Sequence, residues 1–488
     1  MFEILKDKDL EPLSEGVFRV LEKLGMICEN KEMLKAVENI GAEVDYEKQI
    51  AKFPKRIVEN FISTVKKEDK AKWEEEIKEE NKKTVLSGWT PYVECPATFK
   101  APYVPSLFHQ LGTFYYDDEK KERRKGCKDD FIKLIKFGDV LHPEDGVGHC
   151  LNLSDVSSAI EPLEAAGLLI EYAHKPMGVY VQDMRQLDYL KEIEQIAALK
   201  DPYWHWLANI SFATPLKLGK EISDRFVYLS KSCNYPAKVY TMAVSGVNMP
   251  VTTAGCIVVT TAEFIALWMC ARALNPKIPL TGFILTGSMD MRSGEVNYWG
   301  YDMLIRRLST CEFIRKLTGV AVSPGIGEFC QAKYPGLYAT LEKAYLAMTV
   351  AAFTGFHPEV GIGHIEQGLT ISLAQLLLDR EINMGLRFLE SPVIDEENIA
   401  LETILDVGYG ISRNYLDTEH TLRNFRSALW KPEFFDLSGR GIESEEKLMK
   451  KINEKINQLI SEYKKPEVDP DKISKIRQVI EKARRNLI

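Results

Sequence analysis

Apolar residues fall into two textures along this chain. Over the first eighty residues they recur at helical spacing, as in Val17, Leu21 and Leu24, with Gly25 and Gly41 closing turns. This predicts an N-terminal helical segment over 1–83, whose last part, 66–83, is almost all charged and reads as solvent-facing helix and linker. From residue 84 onward, short apolar runs alternate with amphipathic stretches. The runs 84–89, 147–152, 176–181, 204–210, 237–244, 279–286, 320–326 and 356–363 read as strands. Between them 186–199, 217–232, 257–273, 300–317 and 338–352 read as helices. Eight runs alternating with helices predict an α/β fold, a closed (β/α)8 TIM barrel over 84–368. The rival, an open doubly wound sheet, normally carries a glycine-rich phosphate loop, and neither GxGxxG nor GxxxxGK[ST] occurs. The first crossover, 90–146, is long and must hold additional structure. From Leu369 the pattern is helical again, which predicts a C-terminal helical extension over 369–488 packed on the barrel.

Composition narrows the class. The chain has 488 residues, 45% hydrophobic and 27% charged, as in soluble globular proteins. A net charge of −8 argues against non-specific nucleic-acid binding, which needs basic surface. The one basic run, Lys120-Lys121-Glu122-Arg123-Arg124-Lys125, reads as a solvated loop. No apolar stretch preceded by basic residues lies near the start and no segment approaches spanning length, so no membrane contact is expected. The nine cysteines form no CxxC pair, and Cys256, Cys270 and Cys311 lie in apolar surroundings. They read as reduced core thiols of a cytoplasmic protein.

A barrel collects the loops after its strands at one mouth. Trp89 and Tyr92 would stand there after the first run and Asn152 after the second. Asp290 and Arg292 would follow the sixth, Gln331 the seventh, and His364 and Glu366 the eighth. Trp89, Tyr92, Tyr298, Trp299 and Tyr301 also lie in loops after apolar runs, where π-faces could cage a quaternary ammonium group. The alternative for each ring is ordinary packing under long loops. In extended backbone His364 and Glu366 would share a face, and a His beside a carboxylate can orient a substrate or exchange a proton near neutral pH. The alternative is a structural histidine. Arg292 could grip a substrate carboxylate, or pair with Glu295. No metal site is expected: His142, His149 and Cys150 make no compact ligand set, and HExxH and GxSxG are both missing.

Several short motifs, in order, resemble the trimethylamine methyltransferase family over nearly the whole chain. They are Leu13-Ser14-Glu15, Gly41-Ala42-Glu43-Val44-Asp45, Pro91-Tyr92-Val93, Pro250 to Gly255, Met289 to Gly294, Glu366-Gln367-Gly368-Leu369-Thr370, Glu419 to Arg423 and Leu429 to Pro432. The resemblance implies a TIM barrel that moves a methyl group from an amine to the cobalt of a corrinoid. The founding amine enzymes contain pyrrolysine, whereas this sequence has only ordinary residues, including across Gly325 to Lys333. It is therefore similar to the pyrrolysine-free branch, whose members demethylate betaine-type quaternary amines such as glycine betaine, proline betaine or carnitine. No DxHxxG corrinoid motif occurs, so no cofactor is expected on this chain. The corrinoid (a cobalamin) would arrive on a cognate partner protein, and a homo-oligomer is expected. The alternatives are another small-molecule TIM-barrel enzyme and a non-catalytic betaine-binding protein.

Overall fold

The computed structural model describes residues 3–80, 104–107, 111–199, 205–207, 210–211, 214–232, 237–325, 329–354, 360–386, 388, 393–438 and 444–488. The expected strand at 84–89, together with Trp89 and Tyr92, lies outside the described residues.

The N-terminal segment is not purely helical. Helices Asp7–Lys23, Lys31–Asn39 and Lys55–Glu80 are interleaved with strands Met26–Cys28, Glu43–Asp45 and Ile50–Lys52. These strands pair antiparallel with one another, and Met26–Cys28 also pairs in parallel with Lys217–Leu218. Each is three residues long, too short for a period of two to show in sequence. The turn between the first helix and first strand requires glycine: Gly25 has φ of 67°, and a Cβ there would fall 1.9 Å from the Ala51 carbonyl oxygen.

The middle of the chain is mixed α/β with parallel pairing. Ala237–Thr241 lies between Ile210–Ser211 and Leu280–Ile284, parallel to both. Val179–Val181 runs parallel to His205–Leu207, and Phe114–Asp117 runs parallel to Thr370–Ile371. Single parallel bridges join Gly112 to Leu151, Val147 to Pro176 and Phe283 to Ser323. Among the described residues the strands form five small sheets rather than one continuous sheet. Helices Leu187–Ala197, Lys220–Ser232, Thr253–Leu274, Tyr301–Thr318 and Leu337–Thr354 occupy the positions expected from periodicity. The long first crossover holds the hairpin Phe114–Asp117 and Glu122–Lys125 and the helix Lys128–Leu141. Glu122–Lys125 of the basic run is thus a strand of that hairpin, while Lys120 and Lys121 lie in its exposed turn.

Thr253–Leu274 corrects the reading that no segment approaches spanning length. It is long and apolar enough to cross a bilayer, yet it is walled in by protein, with Phe264, Ile265, Leu267 and Trp268 fully buried. Its apolar circumference is that of a core helix wrapped on every side. The Trp268 indole donates to the Thr281 carbonyl at 3.1 Å, so even its polar tip is satisfied.

Two large apolar cores result among the described residues, beside four small clusters. One joins the N-terminal helices to Thr253–Leu274 and the strands beside it. The other joins Lys128–Leu141, Glu161–Tyr172 and Leu187–Ala197 to the C-terminal helices Glu445–Glu462 and Pro470–Leu487. The second is fastened by charge as well. Buried Glu164 accepts from Lys128 at 3.0 Å, from Arg477 at 3.2 Å and from Arg484 at 2.9 Å.

Candidate functional site

His364–Ile365 and Thr370–Ile371 form a tight antiparallel hairpin. Its turn places Glu366, Gln367 and Gly368 successively in left-handed backbone, with φ of 53°, 60° and 84°. Two non-glycine residues held there cost on the order of 1 kcal/mol each or more, strain of the kind that accumulates at functional sites. The turn persists because its amides are caught. The Glu366 N–H donates to the Ala332 carbonyl at 2.9 Å and the Gln367 N–H to the Cys330 carbonyl at 2.8 Å.

This geometry corrects the expected His364–Glu366 pair. The positive φ at Glu366 turns its carboxylate away, where Oε1 meets Arg123 at 2.6 Å and Oε2 accepts from the Thr370 hydroxyl at 2.7 Å. The Arg123 guanidinium also lies over the Phe114 ring, 4.3 Å from its centroid. His364 is fully buried, with Nδ1 3.3 Å from the Ile362 carbonyl. A carbonyl only accepts, so Nδ1 carries the proton and Nε2 is left as a bare lone pair. Among the described residues Nε2 has no hydrogen-bond partner. It lies beside Gly112, where an added Cβ would be 3.4 Å from Nε2 and 3.3 Å from the Ile371 Cβ. Burial, reinforced by the Lys343 charge, pushes the imidazole down to about 3. The ring is therefore neutral near pH 7, and the expected proton exchange at neutral pH is withdrawn.

Behind the hairpin is a wholly buried ion pair, Lys343 Nζ to Asp379 Oδ2 at 2.6 Å. The same Oδ2 accepts the Gly363 N–H at 2.8 Å, and Oδ1 accepts from Gln375 at 2.8 Å. Gln375 in turn reaches the Thr340 hydroxyl and the Gly336 amide. The segment leading into His364 is thus tied to both neighbouring helices, Leu337–Thr354 and Leu373–Leu386.

Gln331 lies in the segment that catches the Glu366 turn. Its backbone N–H donates to Glu342 at 2.6 Å, and its side-chain amide donates to the Val296 carbonyl at 3.1 Å. Its Oε1 is buried and has no partner among the described residues. Val296 belongs to the hairpin Gly287–Met289 and Val296–Asn297, whose tip holds Asp290 and Arg292. Asp290 closes that tip, accepting from the Arg292 N–H at 3.0 Å and the Ser293 hydroxyl at 2.9 Å. The Arg292 backbone N–H, then Ser293, holds the Asp290 carboxyl below its usual range. The Arg292 side chain is exposed and forms no ion pair with Glu295 or any other described residue. Gln331, the Asp290 hairpin and the Glu366 turn are therefore brought together.

Trp299 is not. Its indole packs edge-on to Tyr345 at 6.3 Å, against Met303, Leu304 and Leu346 in the helix layer. Tyr298 is buried against Phe329 and Tyr301 tilts onto Tyr345. Tyr298 and Trp299 follow the packing alternative, whereas Tyr301, the first residue of the Tyr301–Thr318 helix, touches Tyr345 but stays 72% exposed.

Sequence reading placed Asn152 at a strand end but missed Gln182, Glu161 and His149, which form a second polar group with it. Gln182, directly after Val179–Val181, donates to Asn152 Oδ1 at 3.1 Å and to Glu161 at 3.0 Å. Buried Glu161 also accepts from His149 at 2.9 Å and from the Leu153 N–H at 2.9 Å. The Asn152 N–H donates to the Gly112 carbonyl, so this group adjoins the glycine that faces His364. The place of Gln182 one residue past an apolar run was the available signal. Arg123 was hidden in a charge run.

The family model described as trimethylamine methyltransferase (MTTB) matches residues 103–487 of this chain. A trimethylamine methyltransferase MttB of Desulfitobacterium hafniense (strain DSM 10664 / DCB-2) is 22% identical, covering 86% of this chain and 81% of that protein. A glycine betaine methyltransferase of D. hafniense (strain Y51) is 21% identical over 98% of this chain and 96% of its own length. An L-carnitine:corrinoid methyltransferase of Eubacterium limosum is 22% identical over 58% of this chain and 56% of that protein.

Proposed function

This chain belongs to the trimethylamine methyltransferase family and is a methyltransferase, and from that premise we propose that its methyl donor is a quaternary amine. The donor class is a betaine such as glycine betaine, proline betaine or carnitine. The acceptor is the Co(I) of a corrinoid carried by a cognate partner protein. The observation that carries this reading is the end-to-end likeness to a glycine betaine methyltransferase in a chain without pyrrolysine.

The chemistry divides the two amine classes. A quaternary nitrogen already bears positive charge, so a neutral amine departs when a nucleophile takes its methyl. A neutral tertiary amine would need prior activation. Strongly nucleophilic Co(I) supplies the attack, and this chain has to orient the cation and exclude water.

Two buried acceptor atoms support that role, His364 Nε2 and Gln331 Oε1, both without a partner among the described residues. Buried polar atoms of this kind call for a ligand or a water. A trimethylammonium group has no N–H to donate, but its methyl groups carry the positive charge and are drawn to lone pairs. A neutral imidazole suits this task, since an imidazolium would repel the cation. In this reading Glu366 holds the turn through Arg123, Arg292 meets the substrate carboxylate, Asp290 shapes the loop that carries it, and Trp89 and Tyr92 cage the ammonium group. Trp299 supports that loop from behind.

We read the parallel pairings as successive steps around a (β/α)8 barrel whose loops form the mouth. The order of the pairs and bridges supports this, running from Gly112 through Leu151, Pro176, Val179–Leu207, Ile210–Ile284 and Ser323. The Thr370–Phe114 pair returns to the first strand. A reducing, cytoplasmic location is supported by the free and mostly buried thiols among the described residues. The test is a panel of betaines and methylamines incubated with reduced free cobalamin and scored by methylcobalamin formation. Turnover of a betaine is the expected result. Betaine binding without methylcobalamin, also in the presence of the corrinoid protein, would overturn it.

A further inference from the structure

Between Val393 and Leu429 the chain leaves the body as an arm. Its base is pinned where it departs from the Leu373–Leu386 helix. Buried Glu381 accepts the Phe434 N–H at 2.8 Å and the Phe435 N–H at 3.3 Å, and the Trp430 ring fills the space beside Gly385. Beyond that base the arm carries the helices Glu396–Ile399, Leu401–Val407 and Glu419–Ala428. Only Val407 and Thr418 are buried along it. Thirteen of its large apolar side chains are more than a third exposed, Tyr409, Ile411 and Leu416 almost completely. They follow helical spacing, with Leu401, Ile404 and Leu405 on one helix and Leu422, Phe425 and Leu429 along the next. Among the described residues these amphipathic faces stay largely open to solvent.

A second such face lies on the body. Tyr338, Leu341 and Met348 are open on one stripe of Leu337–Thr354, with half-buried Tyr345, covered by Trp299 and Tyr301, between Leu341 and Met348. Tyr338 is 64% exposed, Leu341 65% and Met348 48%. The outer face of a helix on an α/β body is ordinarily polar, and this one is not.

We propose that the arm is the assembly element of a homodimer: the apolar faces of residues 393–429 pack on a second copy of this chain, over the Tyr338–Met348 stripe. The contact is reciprocal, since a twofold axis brings each arm to the other copy's stripe and closes both surfaces at once. The areas fit. Aromatic side chains present on the order of 150–250 Å² each and aliphatic ones less, so Tyr409, Tyr415 and Phe425 with the ten aliphatic side chains of the arm offer on the order of 1,000 Å². A standard interface takes about 800 Å² from each partner.

The permanence of the exposure points to a second copy rather than the methyl acceptor. A protein that must dock and leave at every turnover would return these side chains to water each time, and transient interfaces are correspondingly more polar than obligate ones. A second copy is present from synthesis onward and covers both faces continuously. The inference does not depend on the identity of the methyl donor.

Sedimentation equilibrium of the full chain at micromolar concentration tests it. The wild type is expected at twice the chain mass or an even multiple. Leu405→Glu combined with Leu422→Glu on the arm should at least halve that mass, and so should Tyr338→Glu combined with Leu341→Glu on the stripe. Circular dichroism of both variants should match the wild type, because all four positions are exposed. A monomeric wild type, or an arm variant that keeps the wild-type mass, would overturn the proposal. An arm variant of unchanged mass that no longer binds the corrinoid protein would give the arm to the acceptor instead.

Discussion

Lys343 and Asp379 form an ion pair at 2.6 Å with neither side chain exposed to solvent, and the carboxylate also holds the Gly363 amide one residue before His364. A buried pair of this kind returns little net stability over an apolar pair of the same volume, because both ions have lost their water. Removing one partner leaves the other charge uncompensated. Lys343→Met alone is therefore expected to cost about 3–5 kcal/mol in urea denaturation. Lys343→Met with Asp379→Leu should recover most of that loss while methyl transfer stays impaired. Recovery of full activity in the double variant would show that the pair serves stability only.

His364 links stability to pH. Its imidazole is neutral in the fold down to about 3, whereas the unfolded chain takes up that proton near 6.5. Between those values the unfolded state binds more protons, so this group makes the protein less stable as pH falls. Buried His142, also pushed down to about 3, acts in the same direction. Glu263, pushed up to about 7 by burial, acts in the opposite direction between pH 4.5 and 7, since the folded state keeps its proton longer. His364→Gln isolates one contribution. Relative to wild type, its unfolding free energy should rise by about 1.4 kcal/mol per pH unit from pH 6 toward pH 4. A constant difference across that range would mean that His364 titrates normally.

The same residue should matter to turnover. His364→Ala is expected to reduce methyl transfer at least tenfold at pH 7. Binding of a betaine, followed by calorimetry, should weaken in parallel if Nε2 faces the cation. Loss of the cooperative thermal transition at the same time would instead mark a purely structural histidine.

Arg123 tests the turn. It is 44% exposed and its partner Glu366 14% exposed, so the pair contributes at most about 1 kcal/mol to folding. Arg123→Met should shift the urea midpoint little and still lower kcat/KM several-fold by releasing the Glu366 turn. Unchanged kinetics would separate that turn from the chemistry.

Substrate selectivity follows from the donor class. A betaine should be demethylated once, with the dimethyl product accumulating and trimethylamine left untouched. Trp89→Ala should weaken betaine binding most, by about 0.5–2 kcal/mol, since indole offers the strongest cation–π face. Equal rates for trimethylamine and glycine betaine would sink this reading, as would conversion of the dimethyl product to the monomethyl amine.

The long helices were legible in sequence because three or more turns give the period room to show: 300–317 was expected and Tyr301–Thr318 is found. The small N-terminal sheet was not, since a three-residue strand such as Ile50–Lys52 has no visible alternation. The strand beside Leu151 starts at Gly112, inside a stretch read only as additional structure. At the site, His364, Gln331 and the Asp290 loop could be located from their places after apolar runs. Their relations could not. The two-residue rule that put Glu366 beside His364 assumes extended backbone, and the positive φ at Glu366 and Gln367 is signalled in sequence only by Gly368. Trp299 was misplaced because a ring at the start of a helix reads the same whether it faces a mouth or the helix layer.

Glu161 and Glu164 stand three residues apart on one helix. The first arranges Gln182 and Asn152 at the strand ends, and the second is gripped by Arg477 and Arg484 of the helix Pro470–Leu487. Less than one helical turn thus separates the far end of the chain from the polar groups around Gly112. The helix Glu161–Tyr172 carries both contacts on one buried face of the second core. Trimming Pro470–Leu487 would open the second core at Ile476, Val479 and Ile480 and strip Glu164 of two cations, so it should lower stability and disturb the strand ends together.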